Sequence, residues 1–142
     1  MPTIPALTLT QPWASLVALG VKRIETRSWR TSYRGPLAIH AAKGFPKWAK
    51  ETCERPGIIG ETLRHARLTP ATLPKGAVLC VCRLVEIFPT APSIHFELSN
   101  REYQLGDYTP GRFAWILEDI EPLPEAMPAV GSLQLWDWEG TR

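Results

Sequence analysis

Residues 8–29 read TLTQPWASLVALGVKRIETRSW, and this stretch decides how the rest of the chain is arranged. Residues 6–10 read as a short strand that turns at Gln11-Pro12. Pro12 suits the first helical position, where a missing N–H removes no hydrogen bond, and Thr10 or Gln11 stands where an N-cap is needed. The run 13–19, WASLVAL, is a short apolar helix. Gly20 ends it, because a left-handed residue commonly closes a helix and glycine adopts that conformation without a Cβ penalty. The charged run 22–27, KRIETR, follows directly. In extended form Arg23, Glu25 and Arg27 share one face, and Lys22, Ile24 and Thr26 share the other. An apolar helix therefore anchors a charge-rich segment against a core. On spacing alone, that segment fits a binding wall and a solvated edge strand with paired charges equally well.

The 142 residues suffice for one domain over 1–142 with a sizeable core. An apolar content of 44% with 21% charged residues is that of an ordinary globular chain, which sets aside disordered and fibrous classes. Fourteen prolines and ten glycines predict many turns and short elements. Six tryptophans in this length place several at a pocket rim or an interface, because a buried indole N–H needs a partner. The net charge of +2 does not demand a nucleic acid, but its distribution is uneven. Residues 1–50 carry eight Lys and Arg against one acid, Glu25, whereas residues 51–142 carry eight against thirteen. A basic surface follows if the first fifty residues are contiguous in space and acids from the remainder do not fold over it. The three cysteines, Cys53, Cys80 and Cys82, form no CxxC pair, so neither a disulfide scaffold nor a zinc site is expected. No signal pattern opens the chain and no apolar run approaches the ~20 residues of a membrane span, which makes the cytoplasm the expected location.

Further along, residues 37–42 read as a buried strand interrupted only by His40, a lone histidine better explained as a satisfied core residue than as a catalyst. Lys43 stands at the mouth of that strand. Residues 46–54 and 60–66 fit two short helices, and 44–75 as a whole reads as an insertion across one end of a barrel. The run 77–88 is the best strand, rich in β-branched residues and bounded by Gly76 and Pro89. It puts Cys80, Cys82, Leu84 and Glu86 on one face, with Glu86 either at a cleft or just exposed. Residues 89–111 are loop-rich, 111–118 form the next strand, 119–128 are extended or turning, and 131–138 close the chain.

No P-loop, GxGxxG, HExxH or GxSxG occurs, so no cofactor or metal is called for. What remains is a basic surface bearing tryptophans. Cations neutralise phosphates and aromatic faces stack on unpaired bases. Trp13, Trp29 and Trp115 are the stacking candidates, although Trp13 is better explained as the core anchor of its helix and Trp29, directly after the charged strand, is the better candidate.

The run Gln11-Pro12-Trp13-Ala14-Ser15-Leu16, then Gly20, Lys22, Glu25 and Arg27 in the pattern GxKxxExR, then Ser28-Trp29, resembles the signature of the ASCH domain family (activating-signal-cointegrator homology). Residues 35–43 and 111–115 also look like the family. The resemblance implies an α+β, mostly β fold: a small β-barrel of about six strands related to PUA and YTH domains, with two or three short helices and a cleft facing RNA or a nucleotide. The expected function is binding of RNA or another single strand, in preference to duplex DNA. A hydrolase acting on RNA or on an acylated nucleoside is the enzymatic alternative, with Lys22 and Glu25 as an acid–base pair. The amidohydrolase pattern wants a threonine where this chain has Glu25, so the hydroxyl nucleophile is missing there. A coactivator-like protein-interaction module is the third reading. The ligand is expected between the 11–27 segment and two strand mouths, one ending at Lys43 and one near Glu86. There Gln11 reads a base edge, Lys22 and Arg27 hold phosphate or a carbonyl oxygen, and Glu25 accepts an amino group or orients Arg27. Lys43, Trp29 and Trp115 line the wall, and Ser132 enters from the closing strand.

Overall fold

A computed structural model describes residues 2–91 and 98–140. The chain runs β1 (Ile4–Leu9), α1 (Trp13–Ala18), β2 (Ile24–Arg27), β3 (Gly35–Ala41), α2 (Lys47–Glu54), α3 (Ile58–His65), β4 (Ala77–Pro89), α4 (Asn100–Gln104), β5 (Phe113–Pro128) and β6 (Leu135–Trp138). All six strands join one sheet in the order β2-β5-β4-β3-β1-β6. Only β1 and β3 run parallel. The fold is thus α+β and mostly β, as expected, with four short helices instead of two or three. The expected barrel is corrected: the sheet is open, with β2 and β6 at opposite edges. Each edge strand is only four residues long, and the two do not pair with each other to close the sheet.

The central strands are buried on both faces, which is why β3 and the first half of β4 read as continuous apolar runs. Alternation still sorts their side chains. Leu7, Leu9, Leu37, Ile39, Cys80, Cys82 and Leu84 gather on one face with Trp115, Leu117 and the Ala14 and Val17 of α1. Ala6, Ala38, Val78, Val81 and Trp138 form a second cluster. Register shifts in β4 between Val78 and Cys80 and between Leu84 and Glu86 break strict alternation. Beyond them Glu86 emerges exposed and pairs with Arg34 at 3.1 Å. An amide N–H from Ile87 and then the Arg34 guanidinium hold its carboxyl below the usual range. Glu86 therefore lies on the open surface and away from a cleft.

Gly20 has φ +76°, the left-handed closure expected of α1. The cap at the other end differs: Pro12 takes the N-cap position and Gln11 Oε1 accepts from Ser15 N at 3.0 Å. β5 continues through the proline-rich 119–128 because β2 covers its outer side only as far as Ile116. Past that point the outer side of β5 is an edge, where proline's missing N–H leaves no ladder bond unmade. Residues 44–75 carry α2, α3 and their own small core of Cys53, Leu63 and Leu73. Of the loop-rich 89–111, residues 92–97 lie outside the described residues. The remainder contains α4, whose N-cap Ser99 Oγ accepts from Glu102 N at 3.1 Å. Among the described residues no helix is long and apolar enough to cross a membrane, and no group of three or more His, Cys, Asp or Glu is placed to hold a metal.

Two measurements check this packing. All three cysteines are free and buried, and burial pushes Cys80 up to about 12 and Cys82 higher still. A thiol reagent at neutral pH is expected to leave Cys80 and Cys82 unmodified in the folded protein and to titrate all three thiols in guanidinium. Trp115→Ala empties a fully buried aromatic site and is expected to destabilise by about 3–5 kcal/mol in urea unfolding. Trp13→Ala, at a half-buried position, should cost less.

Candidate nucleic-acid interface

The charged strand β2 forms the floor of a cavity of about 730 Å³. Glu25, Thr26 and Arg27 contribute from β2, Trp13 from the start of α1, and Trp48 and Thr52 from α2. The α2–α3 turn from Arg55 to Gly60, the 104–107 segment and Arg112 complete the wall. The insertion at 44–75 is therefore one side of the cavity.

Lys22 lies beneath this floor and is fully buried. Its Nζ donates to Ile24 O and to Leu105 O, both at 2.7 Å, and stands 3.4 Å from Glu25 Oε1. Two donors are thus spent on carbonyls and the third direction faces the carboxylate. Glu25 is held from the other side by Arg27, whose NH1 donates to Oε2 at 3.2 Å. Glu25 is fixed between two cations with its carboxylate at the cavity, while Arg27 stays partly exposed and lies 5.9 Å from the Trp29 ring centre.

The segment 98–109 is fastened to β2 by several contacts besides Lys22. Glu102 Oε1 accepts from Arg23 N at 2.6 Å, and Asp107 N donates to Thr26 Oγ1 at 3.2 Å. Arg112 NH2 donates to Thr26 O at 3.0 Å, and its Nε lies 3.6 Å from Asp107 Oδ2. Hydrogen bonds from Thr109, aided by the Arg112 charge, hold the Asp107 carboxyl below its usual range. Burial, with Glu102 and Glu25 nearby, pushes the Tyr108 hydroxyl up.

The residues singled out from the sequence do not form one cluster. Glu25 and Arg27 line the cavity, with Lys22 directly behind Glu25. Gln11 is buried: its Nε2 donates to Ser15 Oγ and Pro74 O, both at 2.7 Å, so its amide faces protein and no base edge. Trp115 is fully buried, its Nε1 donating to Trp29 O at 3.2 Å, so it lies in the core and not on a wall. Trp29 packs edge-on against it at 4.8 Å and supports Arg27 from the side. Lys43 and Ser132 line a different cavity, at the 129–134 loop. The β3 and β4 mouths therefore do not share one cleft with β2.

The aromatic wall comes from Trp13, for which the sequence favours the core-anchor reading over stacking, and from Trp48, which it does not single out. Trp13 is half-buried on the cavity and not in the core, because it is the first residue of α1 and the helix buries Ala14 to Val17 instead. Trp48, 58% exposed, tilts against it with centroids 5.6 Å apart. The signal for Trp48 lay in α2 itself: Ala49 and Cys53, one turn apart, take the buried face and leave the tryptophan outside. Arg112 lay in the GRFAW run, and α4 was marked by Ser99 three residues before Glu102, a capping pattern.

Comparisons with known proteins agree with this signature. The model of the ASCH domain family matches residues 7–124. The chain is 29% identical over 136 residues to activating signal cointegrator 1 of Mus musculus and 26% identical over 142 residues to the Homo sapiens protein of that name. Each match covers 92% of this chain and 21% of the relative, so the chain spans about a fifth of the length of the curated relatives it matches. With its family match running from β1 into β5, this chain belongs to the ASCH domain family.

Proposed function

We propose that this ASCH domain binds RNA or another single strand, with an unpaired base in the cavity above Glu25. The observation that carries the reading is Trp48: a tryptophan left largely in water beside Trp13, on a cavity that also holds Arg27, Arg55 and Arg112. Leaving an indole exposed forgoes its burial energy, and a base stacked on its face recovers it. The arginines suit the phosphates flanking such a base. Glu25 keeps lone pairs facing the cavity and suits an amino group on the base edge.

The same geometry favours binding over hydrolysis. The donors of Lys22 are directed at Ile24 O, Leu105 O and Glu25, which leaves none for a ligand. The Thr26 hydroxyl accepts from Asp107 N on the 98–109 segment. Lys22 acts through Glu25, by fixing where the carboxylate stands, and through Leu105, by seating the cavity wall.

Fluorescence anisotropy with a labelled single-stranded RNA tests the reading. Affinity should fall steeply with salt, log K dropping by about 0.7 per phosphate contact for each decade. Trp48→Ala and Arg27→Ala should each weaken binding by about 1–3 kcal/mol with little change in melting. A flat salt response, or undiminished binding by Trp48→Ala, counts against this site. RNA cleavage or deacylation of an acylated cytidine, lost in Glu25→Gln, would replace binding by hydrolysis.

Lys22→Ala has a separate expected signature. Losing one partner of a buried pair strands the other, at about 3–5 kcal/mol. Urea unfolding should therefore show a much earlier midpoint for Lys22→Ala than for Arg27→Ala. Equal midpoints would mean that Lys22 is not structural.

A further inference from the structure

The second cavity, about 1060 Å³, lies where the 129–134 loop crosses the ends of β1 and β3. The loop is pinned at two points. Ala129 N donates to Gly76 O at 3.0 Å, and Ala129 O accepts from His40 Nε2 at 2.8 Å. Gly131 is pressed onto the same histidine, so that a Cβ there would come within 2.7 Å of both His40 Cε1 and Thr8 Oγ1. Behind them Trp136 Nε1 donates to Thr8 Oγ1 at 3.0 Å, and that hydroxyl lies 3.0 Å from His40 Nδ1. Both histidine nitrogens and the threonine hydroxyl are satisfied within the protein, so this network fixes the loop and asks for no ligand of its own.

With Gly131 held against the sheet, its neighbours point outward. Val130 is 94% and Leu133 90% exposed, the highest values among the exposed large apolar residues described. A pinned loop that holds two aliphatic side chains in water is a preorganised apolar contact. The charge beside it has one sign. Lys43 is exposed on this cavity and makes no hydrogen bond or ion pair among the described residues. Lys75 directs its ammonium at Pro70 O and Leu73 O and lies 4.6 Å from the Phe45 ring centre. Among the described residues no carboxylate lines the cavity.

We propose that this face docks an extended segment of a protein partner, with an apolar side chain packed on Val130 and Leu133 and a neighbouring carboxylate on Lys43. The charge complementarity selects an acidic segment. One unpaired lysine beside two aliphatic side chains suits a peptide carboxylate better than a run of phosphates, which would need several cations. The face is independent of the cavity over Glu25: the two share no lining residue.

The test uses the full chain and a short labelled peptide of alternating aspartate and leucine. One control peptide has alanine for leucine and the other has lysine for aspartate. Anisotropy should show saturable binding of the aspartate–leucine peptide and about tenfold weaker binding of each control. The double variant Val130→Ser, Leu133→Ser and the single variant Lys43→Ala should each lose affinity several-fold at an unchanged melting temperature, since all three side chains are exposed. Trp48→Ala should bind the peptide normally. The proposal is overturned if the aspartate–leucine peptide does not bind saturably, if the alanine control binds as well, or if the double variant binds like the parent. It is also overturned if the Val130 and Leu133 changes weaken RNA binding instead, which would make the loop part of a nucleic-acid surface.

Discussion

The buried ammonium of Lys22 is the contact on which the cavity depends. It ties together three parts of the chain: the exit of α1, the four-residue strand β2, and the 98–109 segment through Leu105 O. Its charge is compensated by Glu25, which is in turn held by Arg27. Burying an ammonium is expensive unless carbonyls and a carboxylate surround it, and here they do. The consequence is positional. Glu25 cannot swing away without leaving Lys22 uncompensated, and the 98–109 segment cannot lift without leaving an ammonium donor unmade. The GxKxxExR spacing is thus a structural prescription before it is a chemical one. Gly20 turns the chain out of the helix, Lys22 goes under the strand, Glu25 comes up at the cavity, and Arg27 closes the pair from the outside.

Much of the fold was legible because local rules and burial agree. The apolar run of β4, the α1 boundaries at Pro12 and Gly20, and the helices of the insertion all follow from periodicity and from proline and glycine. What could not be read was closure. A barrel and an open sheet need the same strands, and the difference rests on whether β2 meets β6 across a gap, a long-range property of curvature. α4 was missed because five residues show too little periodicity to stand out from a loop. The long continuation of β5 was missed because prolines ordinarily demote a strand, and they are tolerated here only where its outer side is an edge.

The site was legible as a motif and not as a geometry. Glu25 and Arg27 reach the cavity, but spacing says nothing about depth, so Lys22 and Gln11 looked like ligand contacts when they are buried. Trp115 misled for the same reason. It alternates onto the apolar face of β5 with Phe113 and Leu117, and that face is the core. Conversely, nothing in the sequence of its short helix singles out Trp48 as a ligand contact. Its meaning appears only once the insertion folds back to stand beside Trp13. The sequence places Lys43 at a strand mouth and Ser132 on the closing strand; Ser132 lies in the loop before β6, and both residues line a separate cavity.

The uneven charge of the sequence resolves in the same terms. The first fifty residues looked like a basic surface, yet several of those cations are already spoken for. Lys22 is buried, Arg34 pairs with Glu86 at 3.1 Å, and Arg27 pairs with Glu25. The exposed pair of Lys47 with Glu51, at 3.9 Å, is worth little and leaves Lys47 available. Acids from the second half do fold over part of the first, but Asp107 pairs with Arg112 of its own half, on the cavity wall. The positive surplus that remains is distributed and not concentrated. In the proposed reading, selectivity comes less from net charge than from the fixed carboxylate between two cations and the tryptophan beside it. Each of those depends on a contact made beneath the surface: the carboxylate on Lys22, and the tryptophan on the small core that seats α2.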